Sequence, residues 1–447
     1  MQQRISGDIP EDLKIFFPQV NYDEETWLSA EIQRRTGSHD AALQALQDYL
    51  VFYPSGAHRA EAMMAIGEIA GQSNQDDLAR SYFAALISFF PDDTLSQQAR
   101  LKLADLAFEE DDYKSAAALY SAIEPHLSGQ LLKAATAQKI VCHYRLGQVS
   151  KANQLADDFK KRYSDRQYEA IFLYEEGSQY LEEKNFAQAE KTFKNVANKY
   201  KDYAEAAQGD LGLGRLYMIL NKTDDALKLL TSIPEKYKDP KIVAVAYINL
   251  ADFYYKNRQI ENAIIACKKV FDLQDNGDEH EQALRIIINA YDDVRLWDRA
   301  IAYAREYVEQ YPNTSYTISY RIKIGLLLTN LKEYDRAIYH FQNLKPLADA
   351  DTEPEIQFWI AKAYSERGNT EDAITEFLKV KYLSKPTKLP WGDTALYEAG
   401  QAYRKMGKLQ RAKELFQRVV QSRGTLDQIG RVAGEKVNEI DSELRSN

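Results

Sequence analysis

Apolar residues recur along this chain with a period of about 37 residues, and the unit is clearest over residues 281–317. The first half of that unit has apolar residues at the i, i+3, i+4, i+7 spacing of one helix face: Leu284, Ile287, Ile288 and Tyr291. A second helical stretch begins near Trp297 and ends before Pro312, because proline cannot donate the next backbone hydrogen bond. The pattern predicts two short antiparallel helices, which bury their apolar faces only when copies stack side by side.

The copies run through nearly the whole chain, and each opens its second helix on an alanine. These anchor alanines are Ala42, Ala79, Ala116, Ala152, Ala189, Ala226, Ala263, Ala300, Ala337, Ala373 and Ala412. With the anchor as position 20 of its repeat, glycine recurs at position 8, tyrosine at position 11 and a bulky apolar residue at position 24. A small residue opposite a large one lets paired helices approach closely. The sequence therefore predicts an all-α solenoid of eleven helix-turn-helix repeats.

The recurring order of small residue, aromatic, alanine, aromatic and proline resembles the tetratricopeptide repeat family, with Pro54, Pro91 and Pro312 at the terminal proline position. The resemblance covers residues 23–424 and implies a right-handed superhelix. The period is three residues longer than the usual 34, so we expect first helices to begin almost a turn early. Repeats of this length with tyrosine-proline endings are similar to those of bacterial cell-envelope scaffolds, such as the Tol–Pal-associated coordinator and the outer-membrane barrel assembly lipoprotein.

The two ends of the chain differ from the repeats. Residues 1–22 contain apolar side chains between Pro10 and Pro18, and we expect either a cap over repeat 1 or a tether for a partner. Residues 425–447 predict an amphipathic capping helix, with Thr425 and Gln428 at capping-box spacing. The less regular repeats 1–4 also suggest a change of curvature near residues 165–170.

Bulk composition narrows the functional classes. The 447 residues carry a net charge of −10 without a long basic run, so we expect no nucleic-acid partner. No apolar run approaches the ~20 residues that cross a bilayer, and Met1–Pro10 does not form a signal peptide. The protein is then cytoplasmic, or it is periplasmic or envelope-associated with its export signal removed. Cys142 and Cys267 lie in repeats 4 and 7, too far apart to pair, and favour neither compartment.

The residue patterns of catalytic, metal and cofactor sites were sought without a match. No two histidines have the i, i+4 spacing of a helical metal motif, and His143 occupies a packing position. The glycines of residues 209–214 lack the third glycine of a dinucleotide fingerprint. Residues 272–283 resemble a calcium loop, but Ala283 stands where a bidentate glutamate is required. We therefore expect no enzyme activity, no metal and no cofactor.

In the tetratricopeptide repeat family, positions 2, 5, 9, 12 and 13 of the first helix line a concave groove that binds peptides. Transferred to this sequence, the aromatic, apolar and polar members of that stripe are the candidate partner residues. They are Tyr174, Leu211, Ile248, Tyr255, Arg285, Asn289, Ile322, Phe358, Tyr397 and Arg404. Such a groove suits an extended or helical protein segment, although position 5 also contacts the neighbouring repeat.

Two functional hypotheses follow. The first is a non-catalytic scaffold that binds protein partners in a bacterial cell-envelope assembly. The second is a cytoplasmic regulator whose groove takes a short peptide and whose curvature changes on binding. A start codon upstream with a lipoprotein signal would favour the first. The pattern identifies neither the partner nor the oligomeric state.

Overall fold

The computed structural model describes residues 22–73, 75–273, 277–385 and 387–446, and these residues form 23 α-helices without a strand. The helices are α1 (Tyr22–Arg35), α2 (His39–Phe52), α3 (Arg59–Gln72), α4 (Asp76–Phe89), α5 (Thr94–Glu109), α6 (Tyr113–Ile123), α7 (Gly129–Arg145), α8 (Val149–Tyr163), α9 (Arg166–Glu182), α10 (Phe186–Lys199), α11 (Glu205–Ile219), α12 (Thr223–Lys236), α13 (Pro240–Lys256), α14 (Ile260–Phe271), α15 (Asp278–Asp293), α16 (Trp297–Gln310), α17 (Thr317–Asn330), α18 (Tyr334–Leu344), α19 (Glu353–Arg367), α20 (Thr370–Tyr382), α21 (Trp391–Lys405), α22 (Leu409–Arg423) and α23 (Gln428–Ser446). The predicted all-α repeat fold is confirmed. Residues 1–21, predicted to be a cap or a tether, lie outside the described residues.

The chain divides into two compact units, Met1–Leu216 and Tyr217–Asn447, with the boundary inside α11. Odd-numbered helices are the first helices of repeats, and even-numbered ones are the second. Within the first unit, first helices of successive repeats contact each other in the pairs α3–α5 and α7–α9. Within the second unit, the pairs are α13–α15, α17–α19 and α19–α21. Within each unit, repeats thus pack on their immediate neighbours. The change of curvature near residues 165–170 stays a prediction.

The packing positions inferred from the sequence form the core. All eleven anchor alanines are fully buried. In four repeats, the position 8 glycine faces the phenylalanine ring at position 24 of the same repeat: Gly67, Gly177, Gly325 and Gly400. At Gly400, an added Cβ would lie 2.8 Å from Cε1 of Phe416, closer than side chains tolerate. The recurring glycine therefore allows each first helix to lie directly against the ring on its partner.

The turn between the two helices of a repeat has one backbone conformation throughout the described repeats. The residue at position 15 has a positive φ, in the left-handed region. It is a glycine in four repeats (Gly37, Gly147, Gly368 and Gly407) and another residue in six (Asp111, Lys184, Asn221, Arg258, Arg295 and Lys332). The next amide then donates back to the carbonyl at position 11, as from Leu296 to Tyr291 at 2.9 Å. This bond satisfies a carbonyl at the end of the first helix and fixes the reversal of the chain.

First helices begin early in some repeats only. Position 1 of repeat 8 is Glu281, and α15 begins three residues earlier at Asp278, whereas α17 begins at Thr317, only one residue early. Where the start is early, an aspartate often caps the helix: the Asp239 carboxylate accepts from the amides of Lys241 and Ile242 before α13. The predicted early start therefore depends on a capping residue in the preceding loop.

The last helix, α23, packs on α22 and α21, with Ala433 and Ile440 fully buried. Its cap differs from the predicted one. The carboxylate of Asp427 accepts from the amides of Ile429 and Gly430, so Asp427, not Thr425, caps the helix. None of the helices in the described ranges is long and apolar enough to cross a membrane.

Candidate functional site

Helix geometry divides each first helix into four faces. Since successive residues turn by 100°, positions 2, 6, 9 and 13 lie within about 60° of one another. Positions 4, 7, 8 and 11 face the second helix of the same repeat. Positions 3 and 10 face the preceding repeat, and positions 5 and 12 face the following one. Only the stripe at positions 2, 6, 9 and 13 is left for a partner.

Position 5, which supplies seven of the ten predicted partner residues, is largely taken up by packing between repeats. It is buried in six repeats, at Met64, Ala137, Leu211, Ile248, Ile322 and Phe358. Leu211, Ile248, Ile322 and Phe358 are predicted partner residues, so the structure places these four in the core. Their burial is explained by the contact of position 5 with the neighbouring repeat, which was expected from the sequence as an alternative role for this position.

Contacts of the half-buried members of positions 5 and 12 also point to the next repeat. The guanidinium of Arg285 lies 4.2 Å from the ring centre of Tyr316, at the start of the following repeat. The pKa of Tyr255 is raised by burial and then by the carboxylate of Asp293, which belongs to the following repeat. Both side chains therefore join repeats together, and only the parts left open can contact a partner.

Arg404 belongs to the C-terminal cap. Its guanidinium donates to Glu439 at 2.6 Å and also to Glu443, both on α23. These two carboxylates raise the pKa of Arg404. Because Nη1 and Nη2 of Arg404 both donate to α23, this side chain holds α23 in place and is a poor candidate for partner binding.

The other predicted residues remain partly accessible. Tyr174 is half-buried, with its ring centre 5.9 Å from that of Phe193. Tyr397 packs in the same hydrophobic cluster as Phe358, and its hydroxyl accepts from the amide of Gln401 at 3.1 Å. Asn289, at position 9 of repeat 8, is half-buried. These three residues remain candidates for partner contact.

In the second unit, the open stripe borders a cleft of about 270 Å³ between α15, α17 and α19. Its wall includes position 6 and 9 residues of repeats 9 and 10, namely Lys323, Leu326, Trp359 and Lys362. Position 13 adds Asn330 and Glu366, and Asp292 adds a carboxylate. An aliphatic and an indole side chain among polar groups form the mixed lining typical of a binding cleft.

Charge in this cleft is nearly neutralised by pairs between repeats. The Nζ of Lys323 lies 2.8 Å from the carboxylate of Asp292, and that of Lys362 lies 3.3 Å from Glu398. The indole N–H of Trp359 donates to Glu355 at 3.2 Å. The cleft therefore offers a partner the apolar surfaces of Leu326 and of one face of the indole. It does not offer a strong electrostatic field of one sign.

In the first unit, the same positions border a cleft of about 360 Å³ between α3 and α5. Here Glu68, Asp105 and Glu109 face only one lysine, Lys102. Burial raises the pKa of Asp105, whose carboxylate accepts from the hydroxyl of Tyr120 at 2.7 Å. A Cβ at Gly71 would meet nothing within 4 Å, so this position leaves the cleft open. The lining favours a basic or polar segment.

Within the described ranges, no group of three or more His, Cys, Asp or Glu side chains could hold a metal ion. His143 is buried, and its Nδ1 lies 2.9 Å from Oε1 of Gln148, which confirms its packing role. Burial raises the pKa of the Cys142 and Cys267 thiols to about 12, so neither is a ready nucleophile.

Sequence reasoning missed position 6, which contributes Lys102, Lys323 and Trp359 to the clefts. The sequence could have identified position 6 from its angle around the helix, because positions 6, 9 and 13 follow i+3 and i+4 spacing and therefore lie on one face. Position 5 was selected instead from family likeness, although its angle points between two repeats.

Comparison with known proteins agrees with this fold. Residues 127–290 match the model of a tetratricopeptide repeat-like domain, and residues 394–423 match that of a tetratricopeptide repeat. A solved tetratricopeptide repeat protein from Parabacteroides merdae ATCC 43184 is 17% identical, with 61% of this chain and 98% of that one covered and a TM-score of 0.36. YrrB, described as a TPR protein with an unusual peptide-binding site, is 19% identical, with 43% and 92% covered and a TM-score of 0.31.

A putative kinesin light chain from Podosopora anserina, with nearly identical TPR-like repeats, is 15% identical, with 43% of this chain and 100% of that one covered and a TM-score of 0.35. No curated protein matches the chain. The two matched segments lie in the same register of helix pairs that the whole repeat pattern follows. Residues 127–290 and 394–423 of this chain are thus tetratricopeptide repeats.

Proposed function

We propose that this protein is a non-catalytic scaffold whose first helices bind a segment of a partner protein, in a bacterial cell-envelope assembly. One observation carries the binding part. In each unit, a cleft between first helices is lined by the same stripe of positions 6, 9 and 13, which helix packing leaves free. A surface that recurs at the same positions of successive repeats suits a ligand that runs along them.

The second-unit cleft favours a segment with an apolar side chain. Leu326 and the half-buried Trp359 offer the contacts that bury most area at low entropic cost. Asn289 and Asn330 are placed on the same stripe and can bond to the backbone of an extended segment. Because the lysines of the cleft are already paired, we infer that shape and apolar contact dominate recognition here.

A buried amide supports the same proposal. The Nδ2 of Asn249, at position 6 of repeat 7, is buried and lacks a hydrogen-bond partner among the described residues. Leaving a buried donor unpaired costs about 1–3 kcal/mol. Rotation of this side chain outward would let Nδ2 donate to a carbonyl of a bound segment, so Asn249 extends the candidate stripe towards repeat 7.

The envelope assignment rests on the resemblance of the long, tyrosine-proline-ended repeats to those of envelope scaffolds. Fractionation of cells of the native host that express the full-length gene product would test it. Recovery with the envelope or periplasm is expected. Recovery in the cytosol alone would overturn the location without affecting the binding proposal.

The binding proposal is tested with linear peptides selected from a random display library against the whole protein. In the groove variant, Leu326, Asn330 and Lys362 are all replaced by alanine. We expect the selected peptides to bind this variant at least tenfold more weakly, with an unchanged helical signal. Phe358 is left intact because it is buried, and its truncation would destabilise repeats 10 and 11.

The matched control is Tyr339→Ala, on the second helix α18, where the side chain is 69% exposed. We expect this control to change peptide affinity less than twofold. Peptides that bind the groove variant normally, but lose affinity for the Tyr339→Ala variant, would show that the second helices carry the binding surface.

A further inference from the structure

The open stripe of repeats 1–3 carries an excess of carboxylates. Its positions 2, 6, 9 and 13 hold six acidic and two basic residues: Glu24, Glu31, Glu61, Glu68, Asp105, Glu109, Arg35 and Lys102. In repeats 9 and 10, whose stripe lines the second-unit cleft, the same positions hold two residues of each sign. The clefts of the two units therefore favour partners of different chemistry.

The carboxylates at the first-unit cleft are only partly neutralised by the protein itself. Glu31, on α1, is paired with two arginines of its own helix. Glu68 and Glu109, which line the cleft, make no ion pair among the described residues. Lys102 is the one basic side chain in the lining. The cleft thus keeps a negative charge that a partner can neutralise.

Two of these carboxylates stand one repeat apart. Glu68 and Asp105 both occupy position 9, on the contacting helices α3 and α5. Axes of packed helices lie about 8–10 Å apart, and equivalent positions on them are separated by a similar distance. In an extended polyproline II segment, residues i and i+3 face the same side and lie about 9 Å apart. Basic residues three apart in such a segment can therefore each face one carboxylate.

We propose that the first-unit cleft binds an extended segment of the partner protein that carries Lys or Arg at every third residue. This inference rests on the proposed function, because it takes the open stripe as the binding surface and adds the charge of the partner. Gly71 leaves room for a long basic side chain, since a Cβ there would meet nothing within 4 Å.

Other occupants fit the cleft less well. Within the described parts of the chain, no group of three or more His, Cys, Asp or Glu side chains could hold a metal ion. Nucleic acids and anionic lipid surfaces carry the same sign of charge as the cleft and are repelled by it. A basic side chain also stabilises the charged form of Asp105, whose pKa burial raises in the free protein.

The charge and the spacing of the partner are tested with three blocked, proline-rich peptides of equal length. Lysine occupies every third position in the first peptide, the same lysines are contiguous in the second, and glutamine replaces them in the third. Fluorescence anisotropy measures their affinity for the full chain. We expect the spaced-lysine peptide to bind about fivefold more tightly than either of the others. This advantage should disappear at about 1 M salt, where charges are screened within about 3 Å.

A double variant places the peptide on the first-unit cleft. Glu68→Gln with Glu109→Gln removes the two unpaired carboxylates and leaves the hydrogen bond from Tyr120 to Asp105 intact. We expect it to bind the spaced-lysine peptide about fivefold more weakly, with an unchanged helical signal. The matched control makes the same change of charge on the second helices α2 and α8, by Asp48→Asn with Asp158→Asn at exposed residues. It should change the affinity less than twofold.

The inference is overturned if the spaced-lysine peptide binds no better than the glutamine peptide, or if both double variants weaken it equally. Equal affinity for contiguous lysines would refute the spacing of one repeat. The library peptides and their groove variant judge the proposed function separately. If those peptides bind the second-unit cleft and the lysine peptides do not bind, only the basic partner is rejected. If neither set binds, the open stripe is rejected as a binding surface.

Discussion

Single residues at position 15 determine how each repeat turns. This residue is left-handed in each of the ten repeats where the structure describes it, although six of the ten are not glycine. A side chain in that conformation costs roughly 1–2 kcal/mol. The reversal persists because the following amide bonds back to the first helix and because the packed helices on both sides hold it. The structure thus contains several mildly strained turns of the same kind.

Replacing Lys332, which has a φ of 63°, by glycine should relieve this strain. Glycine also loses more conformational entropy on folding, which offsets part of the relieved strain. We therefore expect a net gain of about 0.5–1 kcal/mol in local stability. Slower hydrogen exchange in α17 and α18 would report it. The reverse change, Gly407→Lys, serves as the control, since a Cβ there meets nothing within 4 Å. It should accelerate exchange in α21 and α22, and a shift in the same direction for both variants would contradict the strain argument.

At the scale of the helix, the sequence predicted what faces the partner helix better than what faces the neighbouring repeat. The anchor alanines and the glycine–phenylalanine pairs follow from spacing, because both members lie in one repeat and recur at fixed positions. Phe358 and Arg404 were predicted as partner residues from their positions on the stripe, but Phe358 packs on Trp391 and Arg404 donates to Glu439, which lie in other elements. Helical angle alone does not show how closely the next helix approaches.

The contacts of Arg404 lead to a prediction for the C-terminal helix α23. Replacing it by alanine removes the donors to Glu439 and Glu443, which are partly open to solvent, so the effect should be modest. We expect exchange of the α23 amides to accelerate roughly threefold, with peptide binding by the second-unit cleft unchanged. The matched control is Lys405→Ala, at an exposed neighbouring residue. If peptide binding is lost and exchange of the α23 amides is unchanged, Arg404 contacts the peptide and does not act through α23.

For the whole molecule, stacking of each repeat on its neighbours makes stability local. The pattern predicted eleven helix pairs and one further helix, and the described residues contain them. The division at Leu216–Tyr217 was not predictable, because it falls inside α11, where no change of composition or glycine- and proline-rich linker marks it. A boundary of that kind depends on how many contacts the helices make on either side of it. A regular repeat sequence does not reveal those numbers.

A charge at the fully buried anchor Ala300 tests this locality. Ala300→Glu should cost roughly 3 kcal/mol or more, because an unpaired carboxylate would lie between α15 and α16. Hydrogen exchange should accelerate most in repeats 7–9. The same substitution at the exposed Ala302 of α16 provides the control and should have little effect. Uniform loss of protection along the chain would contradict nearest-neighbour stacking.

The two buried cysteines have a consequence for how the protein can be observed. Cys142 lies in the first unit and Cys267 in the second, and burial holds both thiols far from ionisation at neutral pH. A thiol reagent can modify each one only during an opening of the surrounding helices. The unmodified chain thus carries one internal reporter per unit. The two labelling rates, read by mass spectrometry on a single sample, give the opening kinetics of each unit separately.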